Sequence, residues 1–353
     1  MKARIETHVN LRHPSPTCTA LRAVALMPLL ATVGCGKREA PPAIAPDPPA
    51  FAAVANHPVS GALPARDVAV WRQRSGLDED RYYAAAGSEG VVVYLEDGAF
   101  LQRLAQSQAS HLGVLYGVPV DEVVADFLVA VDPSTTRLTW FEIDAGSGAL
   151  RRLAGQPADV GAEVAGLCTH YDAEQRRHRV LVVTSGGELQ EWIVVAHAGK
   201  QPNFANRIVA TRQRTLALDG VGGDCAVAPG GEIYVVVNRR ELMRVDARWR
   251  IDTLAIRDVA LQPPPGAVTA IDLLPDDPGP TLLLMADQDG RRLVCSTTAG
   301  RVIGTTGLEH PVIALRGGGD ALAVVGDDGT LRLGAWSRIA GLLGLRGAAA
   351  AAP

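Results

Sequence analysis

Short apolar runs, each followed by a polar turn that often contains Gly, recur along most of the chain. Such runs occupy residues 91–94, 138–143, 180–183, 233–237, 282–285 and 322–325. A continuous apolar run of this length is typical of a fully buried strand, and the alternating stretch that usually follows is typical of a half-exposed one. Gly supplies the positive φ that tight hairpin turns require. The pattern therefore predicts an all-β chain.

The spacing of these runs predicts the architecture. Successive repeats are 37, 53, 53, 49 and 40 residues apart when they are anchored on Val91, Leu128 (in the apolar stretch just before the run 138–143), Leu181, Tyr234, Leu283 and Ala323. A propeller blade of four short strands needs about 40–50 residues, whereas a β-sandwich would show fewer and more evenly alternating strands. We predict a β-propeller with six blades. Residues 67–71 are expected to add a closing strand to the last blade. Residues 336–345 are expected to form a short amphipathic helix that covers an edge of the propeller, with contact to lipid as the alternative.

The N-terminal segment has the pattern of a signal peptide. Four basic residues (Lys2, Arg4, Arg12 and Arg22) precede an uncharged, mainly apolar stretch at 23–33, and small residues at 31–34 lead to Cys35. Residues 31–35 (Ala-Thr-Val-Gly-Cys) resemble the lipobox of bacterial lipoproteins, in which the cysteine is lipidated after cleavage. Lipidation is therefore predicted at Cys35. An ordinary secretory signal with an incidental cysteine is the alternative.

These patterns divide the chain into four parts. Residues 1–35 are the predicted signal peptide, and residues 36–62 form a Pro- and Ala-rich linker whose composition is typical of a semi-extended spacer. Residues 63–340 are assigned to the propeller and residues 341–353 to a disordered tail. The predicted location is the periplasm or the outer membrane, with the membrane reached through the lipid anchor alone.

Composition and charge narrow the classes of partner. The chain is 47% hydrophobic, so it can bury a large core, and its formal net charge is −4. Without residues 1–35 the net charge becomes −7, and no block of Lys or Arg remains that could form a nucleic-acid footprint. Nucleic acid is therefore excluded as a predicted partner, which leaves an unidentified protein or small molecule.

Three cysteines lie outside the predicted signal peptide, at positions 168, 225 and 295. Their apolar surroundings favour buried thiols. One disulfide in an oxidising compartment is the alternative.

A family resemblance extends over residues 65–310. The segments Asp67–Trp71, Gly90–Tyr94, Val164–Leu167, Val180–Thr184, Gly187–Trp192, Gly231–Tyr234 and Leu284–Ala286 follow one another in the order seen in β-propeller phytases. The resemblance implies a propeller scaffold. It also implies the activity of that family, the calcium-dependent removal of phosphates from inositol hexakisphosphate, in which carboxylates hold several Ca²⁺ ions and Lys or Arg side chains bind the phosphates.

Most of the implied site residues are replaced in this chain. The family's Glu-Gly pair before the fourth blade corresponds to Gly222 and Gly223, and its Asn-Asn-Val-Asp element corresponds to residues 110–113 (Ser-His-Leu-Gly). Only three implied metal ligands keep a carboxylate: Asp67, Asp272 and Asp289. Ca²⁺ takes about 6–8 oxygen ligands, and three scattered carboxylates fall short of that number. Ca²⁺ is therefore expected as a cofactor only if it binds at these three positions. No catalytic residue is assigned.

The resemblance and the losses together predict a catalytically degenerate, phytase-like lipoprotein that acts as a binding platform in the cell envelope. An active calcium-dependent phytase, whose ligands are displaced by insertions, is the alternative. An assembly lipoprotein unrelated to phytases is a third reading.

Other motifs have simpler explanations. The stretch 287–290 (Asp-Gln-Asp-Gly) has the spacing of half a calcium loop, but Asp-Gly is also an ordinary hairpin turn. The basic run 176–179 is expected to be a solvated turn. The histidines at 111, 170, 178, 197 and 310 lack zinc-ligand spacing.

Overall fold

The computed structural model describes residues 51–53, 65–73, 80–86, 90–105, 108–153, 158–199, 207–246, 248–254, 267–274, 281–287, 290–318 and 321–345. These residues form twenty-five strands and one short helix, which confirms the all-β prediction. None of the described helices has the length and apolar character needed to cross a membrane.

The strands form five sheets, and the largest of them joins two blades through a single parallel pair of Val120 with Ala196. The strands therefore make six antiparallel blades that follow one another along the chain, which confirms the six-bladed propeller. The first strand of the chain is β1 (Ala52–Ala53). Blade 1 contains β2 (Asp67–Arg72), β3 (Asp80–Ala85), β4 (Val91–Tyr94) and β5 (Phe100–Leu104). Blade 2 contains β6 (Leu112–Val120), β7 (Val123–Asp132) and β8 (Arg137–Ile143), and both β9 (Leu150–Arg152) and β10 (Ala158–Asp159) pair with β8.

The other four blades repeat this plan. Blade 3 contains β11 (Val164–Asp172), β12 (Arg177–Thr184), β13 (Glu188–His197) and β14 (Arg207–Ala217). Blade 4 contains β15 (Gly222–Val227), β16 (Ile233–Val237), β17 (Glu241–Val245) and β18 (Ile251–Leu254). Blade 5 contains β19 (Ala270–Leu274), β20 (Leu282–Asp287), β21 (Arg292–Thr297) and β22 (Val302–Gly307). Blade 6 contains β23 (Val312–Gly318), β24 (Ala321–Gly326) and β25 (Leu331–Ala335).

The closing strand is β1 and not the predicted segment. Ala52 and Ala53 pair with Leu333 and Arg332, so β1 is the outer strand of blade 6. Residues 67–71 instead form the inner strand of blade 1. The propeller therefore begins inside the segment that was assigned to the linker. Composition obscured this because two alanines shortly after a Pro-rich stretch carry little strand signal, and the pairing depends on the edge of β25.

The apolar runs lie on the middle strands of the blades, where both faces pack against neighbouring blades. Every residue of β4, β16 and β20 is buried. Five of the six anchors lie on the second strand of a blade, but Val91 lies on the third strand of blade 1. The equivalent second strand is β3, which has no continuous aliphatic run, and this displacement explains the short first spacing.

A helix, α1 (Trp336–Leu342), follows β25. It buries Ile339 and Ala340, and Leu343 just beyond it is also buried in the core shared by blades 5 and 6. The predicted role of covering an edge is confirmed. The helix also reaches into the segment 341–353 that was assigned to a disordered tail, and residues 346–353 lie outside the described residues.

Candidate functional site

The inner strands β2, β6, β11, β15, β19 and β23 surround a central channel. A cavity of about 190 Å³ in this channel is lined by residues of all six strands, among them Ala69, Val114, Thr169, Ala226, Leu273 and Gly317. The inner strands approach closely at several points; a Cβ on Gly166 of β11 would collide with the carbonyl oxygen of Gly223 on β15. Small residues therefore let the inner strands pack around this narrow cavity.

An arginine and three aspartates from four different blades meet in the channel. Arg316 on β23 donates from Nη2 to Oδ1 of Asp224 at 3.1 Å and from Nη1 to Oδ2 at 3.2 Å. The same Nη2 lies 3.9 Å from Oδ1 of Asp67, and Nη1 also donates to the carbonyl oxygen of Ile271 at 3.0 Å. Asp272 adds its charge to the same guanidinium. We call these four residues, Asp67, Asp224, Asp272 and Arg316, the channel cluster.

The three aspartates also fasten neighbouring blades to one another. Each accepts a backbone N–H from the inner strand of the next blade: Asp67 from Leu112 at 2.8 Å, Asp224 from Ile271 at 3.0 Å, and Asp272 from Gly317 at 2.6 Å. Hydrogen bonds to buried carboxylates are stronger than those between neutral groups. The acids of the channel cluster therefore link the inner strands of three pairs of adjacent blades: blades 1 and 2, blades 4 and 5, and blades 5 and 6.

Burial dominates the protonation of this cluster. Burial raises the pKa of Asp67 to about 7, although Arg316 acts in the opposite direction. Burial likewise raises the pKa of Asp272 to about 6, again against the effect of Arg316. Burial by itself would lower the pKa of Arg316, but the three carboxylates outweigh it and raise that pKa above its usual value. The guanidinium therefore stays charged while part of the carboxylate charge is lost near neutral pH.

The structure brings two of the three predicted metal residues together. Asp67 and Asp272 both lie in the channel cluster, whereas Asp289 lies outside the described residues, as does Cys35. Within the described ranges, no group of three or more His, Cys, Asp or Glu side chains has the arrangement of a metal site. At the neighbouring half calcium loop, Asp287 is buried and receives both Nε and Nη2 of Arg292, at 2.8 and 2.5 Å.

Sequence reasoning missed Asp224 and Arg316. Asp224 follows directly after Gly222 and Gly223, which were matched to the family's Glu-Gly pair, and it lies in a β-bulge between Gly222 and Cys225. A bulge adds a residue and redirects the side chains that follow, so a residue-by-residue match made without the bulge misplaces the residues within it. Arg316 lies beyond the stretch that carries the resemblance. The sequence signal that could have identified it is a single charged residue within an otherwise uncharged strand (residues 312–318, Val-Ile-Ala-Leu-Arg-Gly-Gly).

The prediction of buried thiols was wrong for two of the three cysteines. Cys168 on β11 and Cys225 on β15 form a disulfide between the inner strands of blades 3 and 4, with Cα atoms 5.9 Å apart. Cys295 is buried in blade 5, outside this disulfide. Wide spacing in sequence concealed the pair because successive blades bring equivalent inner-strand positions together across 57 residues.

A second cavity lies at the face of the propeller where the inner strands begin. Its volume is about 370 Å³, and we call it the entrance pocket; its walls include Arg66, Ser110, His111, Thr136, Glu163 and Ile313. The Ser110 hydroxyl and Nδ1 of His111 are 3.0 Å apart. Burial lowers the pKa of His111 to about 4, against the attraction of Asp224, so its ring is neutral near pH 7.

The basic run 176–179 is only partly the solvated turn that was expected. Arg176 and Arg177 are exposed, but His178 is buried and the Arg179 side chain is only 12% exposed. Arg179 forms ion pairs with Asp172 and with Glu191, the latter at 2.6 Å. Glu191 also receives Arg214 of β14 at 2.6 Å. These arginines are therefore largely neutralised within blade 3.

Comparison with known proteins gives only distant structural similarity. No family model matches the chain, and no curated protein matches it. Among solved structures, the chain is similar to BBS1N in a crystal structure with ARL6DN soaked with mercury, at 13% identity and a TM-score of 0.47, covering 77% of each chain. A lead-soaked crystal of the same complex gives 11% identity and a TM-score of 0.48, covering 77% of this chain and 79% of that one.

Proposed function

We propose that this chain is an exported, lipid-anchored β-propeller, related to the β-propeller phytases in its scaffold, that serves as a binding platform in the cell envelope and no longer hydrolyses phosphate esters. One observation carries the proposal: the guanidinium of Arg316 occupies the space between the channel acids. In a calcium-dependent enzyme, a metal ion would be the cation that such acids hold.

The bonding of the acids explains why they serve poorly as calcium ligands. Asp224 uses both oxygens for Arg316 and also accepts the N–H groups of Cys225 and Ile271. Asp67 accepts two N–H groups, from Val68 and Leu112. A divalent cation would have to displace these donors and approach a fixed positive charge, and Ca²⁺ needs about 6–8 oxygens. The internal cation therefore stands in for the metal.

Export is supported by two features. The sequence places a lipobox-like segment before Cys35, and Cys168 is disulfide-bonded to Cys225. Structural disulfides persist in oxidising compartments such as the bacterial periplasm. A lipid at Cys35 would tether the propeller to a membrane surface.

Phosphate release from inositol hexakisphosphate tests the proposal, with the purified chain assayed in millimolar Ca²⁺ and in chelator. A known calcium-dependent phytase serves as the positive control. We expect no calcium-dependent release. Release that requires Ca²⁺ and disappears in the double variant Asp67→Asn, Asp272→Asn would establish the alternative, an active phytase.

A further inference from the structure

The entrance pocket has the size and lining of a small-molecule site. Ligand pockets generally occupy about 300–1,000 Å³ and combine apolar walls with a few polar groups. The entrance pocket, at about 370 Å³, reaches this range, whereas the channel cavity, at about 190 Å³, does not. Its apolar walls come from Val131, Pro133, Val164 and Ile313. The mouth of the propeller is therefore the better place for a ligand.

The polar groups of the pocket include a cation and neutral hydrogen-bonding groups. Arg66 is exposed, and among the described residues no hydrogen bond or ion pair engages its guanidinium. The Ser110 hydroxyl and the His111 ring form a hydrogen-bonding pair on another part of the wall. An Arg guanidinium presents parallel N–H donors that match the two oxygens of a carboxylate.

The remaining charges limit the ligand to a single negative charge. Glu163 lies in the same wall, where its carboxylate accepts the Ser185 hydroxyl at 3.2 Å, and it would repel a polyanion. Asp224 of the channel cluster also acts on the neighbouring His111, but Arg316 acts on it in the opposite direction, so Glu163 is the acid that opposes an anion in the pocket. One arginine can neutralise one carboxylate, but it cannot neutralise a polyphosphate against this acid. None of the described lining residues is Phe, Tyr or Trp, so the stacking platform usual for sugars is missing from the described wall.

We propose that the entrance pocket binds a small organic monocarboxylate with an aliphatic body, with the carboxylate on Arg66 and the aliphatic part against Val131, Val164 and Ile313. This inference rests on the proposed function and names the ligand class of the platform. Ser110 and the His111 ring line the same pocket as neutral polar groups, so they add no charge that would oppose the carboxylate.

Calorimetric titration of the purified full chain with octanoate tests this inference, with octanamide as the uncharged match and inorganic phosphate as the anion without an aliphatic body. We expect a Kd for octanoate of about 0.1–1 mM, the range for a ligand of this size. Octanamide and phosphate should bind at least tenfold more weakly. Arg66→Gln should weaken octanoate binding about tenfold or more, because a hydrogen-bonded charge pair is lost.

Arg301→Gln is the matched control, since Arg301 is exposed at the turn before β22 and lies outside the pocket lining. It should leave the Kd unchanged. Equal affinity for octanoate and octanamide, no octanoate binding, or an unchanged Kd in Arg66→Gln would overturn the inference. Tighter binding of phosphate than of octanoate would overturn it as well. These titrations do not depend on phosphate release, so the inference and the proposed function can fail separately.

Discussion

Arg316 and Asp224 form a two-pronged ion pair between the inner strands of blades 6 and 4, with N–O distances of 3.2 and 3.1 Å. The two residues are 92 positions apart, and blade 5 lies between their blades in the ring. The pair therefore bridges the channel, whereas the backbone bonds of the aspartates join only adjacent blades. Removing this bridge should affect the whole ring.

Arg316→Gln should lower the free energy of unfolding by about 3–5 kcal/mol at pH 8, because it leaves buried carboxylates without their cation. Urea unfolding monitored by tryptophan fluorescence measures this loss. Arg332→Gln is the matched control, since Arg332 is also buried but its partner Asp328 is 44% exposed and can be solvated. A loss no larger than that of the control would show that the channel pair contributes little.

Calcium should rescue the variant that lacks the internal cation. In Arg316→Gln the oxygens of Asp67, Asp224 and Asp272 regain the space between them, so 10 mM Ca²⁺ should raise its melting temperature. An ion present at about 100 times its Kd stabilises by about 2.7 kcal/mol. The unchanged protein should show no shift, and adding Asp224→Asn to the variant should abolish the rescue. An equal Ca²⁺ effect on the unchanged protein would contradict the view that Arg316 takes the place of a metal.

The raised pKa of Asp67 predicts a pH-dependent stability. Its folded-state pKa of about 7 lies above the usual 3.8, so the folded protein holds this proton more tightly than the unfolded chain does. The contribution of Asp67 to the free energy of unfolding therefore declines as the pH rises from about 4 to about 7. Asp67→Asn removes this titration, so the difference in unfolding free energy, variant minus unchanged protein, should increase across that window.

Urea unfolding at unit steps from pH 4 to pH 8 measures this difference. His111 has a lowered pKa and produces the opposite slope, but it is present in both proteins and largely cancels in the subtraction. Asp327→Asn, a change at an exposed turn position outside the channel cluster, serves as the matched control. A difference that stays flat or decreases with pH would show that burial does not raise this pKa.

The disulfide between Cys168 and Cys225 should stabilise the propeller by about 2–5 kcal/mol, since it closes a loop of 57 residues between two blades. The double variant Cys168→Ala, Cys225→Ala should lose this amount in urea unfolding. A reducing agent should lower the midpoint of the unchanged protein and leave that of the double variant where it is. Cys295→Ala should retain the sensitivity to reduction, and loss of that sensitivity would mean that a different pair is bonded.

The sequence was enough to predict the fold because blade repetition leaves a local signal. Each middle strand is buried on both faces, so runs such as 180–183 and 282–285 are apolar throughout, and their spacing indicates the number of blades. The closure could not be predicted in this way. Two alanines form β1 only because the edge of β25 is available to them, and such a pairing is determined by tertiary structure.

The site was only half predictable for a related reason. Asp67 and Asp272 were identified because the family resemblance covers both of their strands. Asp224 was missed because the bulge before Cys225 shifts the register, and Arg316 because β23 lies beyond the resemblance. The four residues form a cluster only because the inner strands of four blades come together around the channel, and no local sequence pattern encodes that arrangement.

The closing strand offers a direct test of the revised domain boundary. A variant that lacks residues 1–54 loses β1 and the partly buried Phe51, which packs against the core of blades 5 and 6. It should be less stable than a variant that lacks residues 1–47 by about 2 kcal/mol, from lost backbone hydrogen bonds and apolar burial. Thermal and urea unfolding of the two variants measure the difference. A further deletion to residue 62 should add little, because β1 is already gone, and equal stability of the first two variants would restore the linker boundary predicted from composition.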